Sequence, residues 1–179
     1  MFISISLLIE HPVYANRKIE RAGDVIQILL PATAYGMSFI YNDQQGRCQF
    51  SKSFLSSMGI TFGLKFLINK KRPDGGSYSF PSGHTAAAFS GASFIQRRYG
   101  WRFGIPAYIL ASFVGWSRVE AKKHFIEDVL AGAAISVICT YIFTIPYQKN
   151  VNGAPIIDQG QYGSIVTVRV SFDFMHLIR

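Results

Sequence analysis

The chain has 179 residues, enough for one domain with a real core. It is 49% hydrophobic, only 16% charged and carries a formal charge of +8, whereas an ordinary soluble domain has roughly 25% charged residues. This balance points to a membrane and an anionic partner, while two cysteines, Cys48 and Cys139, exclude a disulfide framework and a thiolate metal site.

Residues 1–15, MFISISLLIEHPVYA, hold an apolar run too short for a bilayer, which needs ~20 residues. Val13-Tyr14-Ala15 resembles a cleavage pattern, but the basic n-region is missing and Glu10 intrudes. Residues 1–22 are therefore expected to form an interfacial or signal-like segment. Asp24 to Tyr41 is the first substantial apolar segment, with Pro31 as an expected kink. Residues 51–71 read as a second helix, whose Ser53, Ser56, Ser57, Gly59 and Gly63 suit close helix packing. Pro73 disfavours helical geometry at Arg72, so that helix is expected to stop just before the arginine. A third helix, rich in Ala, Gly and Ser, is expected from near Ser82 to about Arg98. The stretch RRYGWRFG then turns the chain into a fourth helix over 105–118. After the loop 119–125, a fifth helix runs to Pro146 or Tyr147. Residues 164–174 alternate apolar and polar side chains with period two, which predicts a strand.

The expected fold is all-α: a membrane-embedded up-and-down bundle of about five to six helices with a core four-helix bundle, spanning residues 1–148. A C-terminal extension, 149–179, would carry the β-like stretch.

In an up-and-down bundle, the end of helix two, the start of helix three, the end of helix four and the start of helix five share one end of the molecule. Lys65 and Arg72 are seven residues apart, close to two helical turns, so both can point to one site. Arg72 and Arg118 offer planar forks suited to tetrahedral oxyanions, and Lys65 a point charge. Pro81-Ser82-Gly83-His84 opens helix three, where Gly83 lets backbone N–H groups approach an anion at the positive helix end. His84 is placed there to donate a proton. His124 and Asp128 are four apart, so the carboxylate can fix the imidazole tautomer and leave the other ring nitrogen free to attack. Lys70, Lys71, Lys122 and Lys123 read as rim charges that attract an anion, and Glu120 and Glu127 as solvated or paired with them. The His124/Asp128 pair could be half a metal site, but no further cluster completes it, so no metal and no cofactor is expected.

Lys65-x6-Arg72-Pro73, then Pro81-Ser82-Gly83-His84, then Ser117-Arg118-x5-His124-x3-Asp128 resembles the three-part motif of the phosphatidic acid phosphatase type 2 superfamily. All three parts are complete and in order. The loop 74–80 is short, and Ala121-Lys122-Lys123 precedes His124 where many relatives carry a glycine, departures that bear on headgroup fit. The resemblance implies a metal-independent phosphatase with His124 as nucleophile, forming a phosphohistidine, Asp128 orienting it and His84 protonating the leaving oxygen. Lys65, Arg72, Ser82, Gly83 and Arg118 would bind the phosphoryl oxygens. Family branches act on membrane lipids (phosphatidate, phosphatidylglycerophosphate, undecaprenyl pyrophosphate or lipid A), work as soluble secreted acid phosphatases, or are vanadium haloperoxidases. The apolar segments 24–41, 51–69 and 128–147 favour the membrane branch, with a phosphorylated lipid and the membrane as partners and no nucleic acid. A non-catalytic phosphate binder needs only the cations, so intact His84, His124 and Asp128 argue against it. Arg47, Lys52, Arg97, Arg98 and Arg102 cluster at the far end and favour that end being cytoplasmic. The chain is thus expected to be a multi-pass protein of a bacterial-type inner membrane, its site facing the periplasm or exterior.

Overall fold

Residues 17–148 are described by the structure, a computed structural model. Five helices follow in order: α1 Arg17–Ile40, α2 Gln44–Ile68, α3 Gly83–Tyr99, α4 Trp101–Glu120 and α5 Ile126–Phe143. The all-α helical bundle expected from the sequence is present. Its plan is a central post: α3 packs against all four other helices, which close a ring around it in the order α1, α2, α5, α4.

The composition of α3 explains that position. Eleven of its 17 residues are buried, among them Ala86, Ala88, Ser90, Gly91, Ala92 and Ser93. Small side chains let neighbouring backbones come close, which is how helices associate where hydrophobic burial offers no driving force. At Gly91 a Cβ would stand 2.6 Å from the backbone of Leu30 and Pro31, so only glycine fits there. Pro31 lies inside α1 at this contact, and the helix continues past it to Ile40. Hydroxyls stitch the interior together. Ser57 and Ser136 Oγ atoms are 2.7 Å apart, Ser90 Oγ donates to Ser57 at 3.3 Å, and Ser93 meets Thr140 at 2.7 Å.

The outside is the apolar surface. Leu67 is 83% exposed and Ile142 69%, with Ile28, Phe39, Leu55, Phe66, Ile109 and Leu130 also exposed. Small, hydroxyl-bearing residues within and bulky apolar ones without is the arrangement suited to lipid rather than water. Among the described helices, α5 is long and apolar enough to cross a membrane by length and composition. α1 and α2 have 24 and 25 residues, about 36 Å at 1.5 Å per residue, against a hydrocarbon core of about 30 Å.

Several boundaries differ from the sequence reading. α1 already begins at Arg17, inside the expected N-terminal segment. α2 stops at Ile68, four residues before Arg72, because Asn69 takes the left-handed conformation (φ 42°, ψ 45°) and caps the helix through its N–H to the Lys65 carbonyl. The expected eight-residue turn after α3 is the single residue Gly100, whose φ of 92° ends one helix and starts the next. Gly59 and Gly63 lie on the outward face with open space beside them, whereas Ser53 and Ser57 do pack inside. The expected strand at 164–174, the 149–179 extension and residues 1–16 lie outside the described residues.

The end away from Lys65 is locked by one buried ion pair. Arg98 meets Asp43 through two bonds of 2.6 and 2.7 Å and also donates to the Ile145 and Pro146 carbonyls. Burial opposes the Asp43 charge, but the hydrogen bonds from Arg98 and Gly46 hold its carboxyl below the usual value.

Candidate active site

The polar residues expected to converge do meet at one end of the bundle. Lys65 comes from the last turn of α2, Arg72 from the following loop, Ser82, Gly83 and His84 from the start of α3, Arg118 from the last turn of α4, and His124 and Asp128 from the start of α5. Backbone bonds bring the parts together. The Ser82 N–H donates to the Asp128 carbonyl at 2.9 Å, and the Lys123 N–H to the Arg118 carbonyl at 3.0 Å.

His124 is buried, 3% exposed. Its Nδ1 lies 3.5 Å from the Ser79 hydroxyl and 3.8 Å from Asp128 Oδ2, and the ring also bonds the Ser79 backbone. The Asp128 distance exceeds hydrogen-bond range, so Ser79 stands between histidine and carboxylate. Asp128 itself is fully buried. Its Oδ2 accepts from the Ser79 hydroxyl in a short hydrogen bond and from the Phe125 N–H at 3.0 Å, and its Oδ1 from Lys70 Nζ at 2.8 Å. With Nδ1 facing these partners, Nε2 is the nitrogen left on the opposite side. Burial, and then the charges of Lys65 and Arg72, push the His124 pKa down to about 4. The imidazole is therefore neutral near pH 7, the form that has a lone pair to give.

The cations differ in how they are committed. Lys65 Nζ makes a 2.7 Å bond to the Tyr78 carbonyl. Arg72 is half-buried, and its Nε is buried with no hydrogen-bond partner among the described residues, which is costly unless an anion completes it. Arg118, 2% exposed, is more fully engaged: Nη1 donates to Asp24 at 2.7 Å, Nη2 to the Glu20 carbonyl at 2.6 Å and Nε to Ser117 Oγ at 3.2 Å. His84 Nε2 lies 3.2 Å from the same Asp24 oxygen, near enough to Arg72 and Arg118 to feel both charges. Ser82 is buried, and its hydroxyl oxygen caps α3 by accepting from Thr85 N–H at 3.4 Å and Thr85 Oγ1 at 3.0 Å. Gly83 is the first residue of α3, at the positive end of the helix dipole.

Sequence reasoning passed over three residues that touch this cluster. Ser79 lies between the first two motif parts, and its place beside Pro81-Ser82-Gly83-His84 was a usable signal. Asp24, the one acid in an otherwise apolar stretch, was another. Lys70 was read as a rim charge; its Nζ instead bonds both Asp128 at 2.8 Å and Glu127 at 2.7 Å. Glu127 is thus paired with a lysine, as expected, and Lys123 is a surface partner of Asp74 at 3.0 Å.

A cluster of lysine, arginines, histidines and helix N–H groups with one neutral imidazole can bind a phosphoryl group and attack it. Known proteins agree. Residues 46–152 match the model of the PAP2 superfamily. The lipid A 4'-phosphatase of Helicobacter pylori strain J99 is 32% identical over 142 residues, which cover 73% of this chain and 71% of that protein. The crystal structure of Aquifex aeolicus LpxE superposes with a TM-score of 0.63 at 23% identity, covering 75% of this chain and 87% of that one. A transmembrane PAP2-type phosphatidylglycerolphosphate phosphatase from Bacillus subtilis gives a TM-score of 0.58 at 25% identity, covering 76% and 77%. Together with the three-part motif at the convergent helix ends, these matches establish that the chain belongs to the PAP2 superfamily and is a phosphoric ester hydrolase.

Proposed function

We propose that this protein is a multi-pass membrane lipid phosphatase that removes phosphate from a phosphorylated lipid through a phosphohistidine on His124. The observation that carries the reading is the buried His124, backed by Ser79 and Asp128, at the one end where the motif residues meet. Lipid A is the first substrate to test, because a relative covering 73% of the chain is a lipid A phosphatase.

In this mechanism the phosphate oxygens lie against Lys65, the free Arg72 Nε and the N-terminal amides of α3 at Gly83 and His84, with Arg118 closing the far side. His124 Nε2 attacks phosphorus, a nitrogen–phosphorus bond forms, and the bond to the leaving oxygen breaks with its electron pair. His84 gives that oxygen its proton. Water, deprotonated by the now neutral His84, then attacks phosphorus, releasing inorganic phosphate and restoring His124. Asp128, held by Ser79, supports the positive charge that His124 acquires. The apolar flanks of the helices keep the site at a membrane surface, where a lipid phosphate resides, and the cations Arg47, Lys52 and Arg102 at the other end favour a site on the non-cytoplasmic side.

Purified protein in detergent micelles should release phosphate from at least one of lipid A, phosphatidate, phosphatidylglycerophosphate and undecaprenyl pyrophosphate. His124→Ala should lower that rate by about a thousandfold or more, and acid-quenched protein should carry phosphate on wild type but not on the variant. Equal background release from both would sink the reading.

A further inference from the structure

We infer that Lys70 is a positioning residue for the reaction: it holds the Asp128 carboxylate in place behind Ser79 and His124, rather than gathering substrate at the rim. The inference rests on the reading of His124 as nucleophile. Lys70 occupies one of the six unspecified positions between Lys65 and Arg72 in the first motif part, in the loop that follows the Asn69 cap, and that loop folds back over the first turn of α5. Its Nζ stands 2.8 Å from Asp128 Oδ1, 2.7 Å from Glu127 Oε1 and 4.5 Å from the Phe125 ring centroid. Its own carbonyl accepts from the Ser79 N–H at 2.7 Å. Lys70 therefore grips both members of the Ser79–Asp128 pair, the carboxylate by side chain and the serine by backbone.

Asp128 and Glu127 differ in a way that decides what Lys70 does. Glu127 is 63% exposed, so its bond to Lys70 is solvated and worth little. Asp128 is fully buried, and a buried carboxylate without a cation is strongly destabilised. The groups facing Asp128 are Lys65 from α2, Ser79 from the loop, and His124, the Phe125 N–H and Glu127 around the start of α5, with Arg72 beside Lys65 and His124. Lys65 and Arg72 are placed for the phosphate, so Lys70 is the cation dedicated to Asp128. Burial opposes the Lys70 charge, but its bonds to Asp128 and Glu127 hold its pKa above the usual lysine value, so the clamp stays charged across the working range.

The test compares Lys70→Met, Lys70→Arg and wild type in detergent micelles with lipid A and phosphatidate as probes, alongside His124→Ala. With Lys70→Met, Asp128 loses its cation and is protonated more easily. The acid limb of kcat/KM should then move to higher pH and kcat should fall roughly ten- to hundredfold, the usual worth of a group that orients a reacting side chain. KM should stay within about twofold. Lys70→Arg should recover most of kcat and the original acid limb. An unchanged kcat and acid limb, or a rise in KM alone, would overturn the inference in favour of a rim charge. Equal losses in the Met and Arg variants with a lowered unfolding temperature would overturn it in favour of a loop brace. If His124→Ala turns over like wild type, the nucleophile reading itself falls; if it is dead while Lys70→Met is normal, only the Lys70 inference does.

Discussion

A buried histidine and a buried arginine sit at opposite ends of the molecule, and their neighbours give them opposite fates. Burial disfavours the charged form of both. Arg98 is met by a carboxylate through two bonds, by two carbonyls and by the face of Tyr147, so its charge is repaid locally. His124 faces two cations, and its carboxylate lies beyond hydrogen-bond reach, so it gives up its proton instead. The consequence for activity has a definite sign. In the proposed mechanism the attacking form is the neutral imidazole, present above the folded pKa of about 4. The acid limb of kcat/KM against pH that belongs to His124 should therefore lie at about 4. An acid limb at the ordinary histidine value of about 6.5 would show that the surroundings of His124 do not act as described.

At the scale of elements, the close approach of α5 to the start of α3 sets the site. A Cβ on Gly132 would lie 2.5 Å from the Ser82 carbonyl oxygen, beside the bond from Ser82 N–H to the Asp128 carbonyl. Gly132→Val should push the two helices apart, cost about 1–3 kcal/mol as overpacking does, and lower kcat together with the unfolding temperature. Gly59→Ala, on a face with nothing within 4 Å, should leave kcat unchanged and, by helix propensity, the unfolding temperature unchanged or raised; the pair is checked by thermal unfolding and phosphate release in detergent. Helices and their alternation were legible because small-residue and apolar runs are local properties, and so was the end at which Lys65, His84, Arg118 and His124 meet. Their finer ends were less so. Pro73 was a stop signal for α2, but Asn69 acted first, as a left-handed cap three residues upstream of Arg72. What Lys70 and Asp24 bind was opaque for a different reason. Each finds its partner across the fold, 58 residues away for Lys70 with Asp128 and 94 for Asp24 with Arg118, and no spacing rule reaches that far.

The described helical unit has a hydroxyl-lined interior, an apolar belt and two polar ends of different character. The proposed sidedness can be read with the chain's own chemistry. Cys48 is exposed near the start of α2, at the end opposite the site, and Cys139 is buried. Ser77, in the exposed loop between α2 and α3, can be changed to cysteine. In right-side-out vesicles an impermeant thiol reagent should label Ser77→Cys at once and Cys48 only after the membrane is opened. The reverse order would place the site on the cytoplasmic side.

Each of the five helices brings one of its two ends to the cluster around His124: α1 through Asp24, α2 through Lys65, α3 through His84, α4 through Arg118 and α5 through Asp128. In the proposed multi-pass arrangement, a helix threaded the wrong way would carry its contribution across the bilayer, about 30 Å from the rest. Biogenesis therefore has no partly correct product. The assembled cluster is a record that every segment was inserted in the right direction, and a chain that turns over has already passed that inspection.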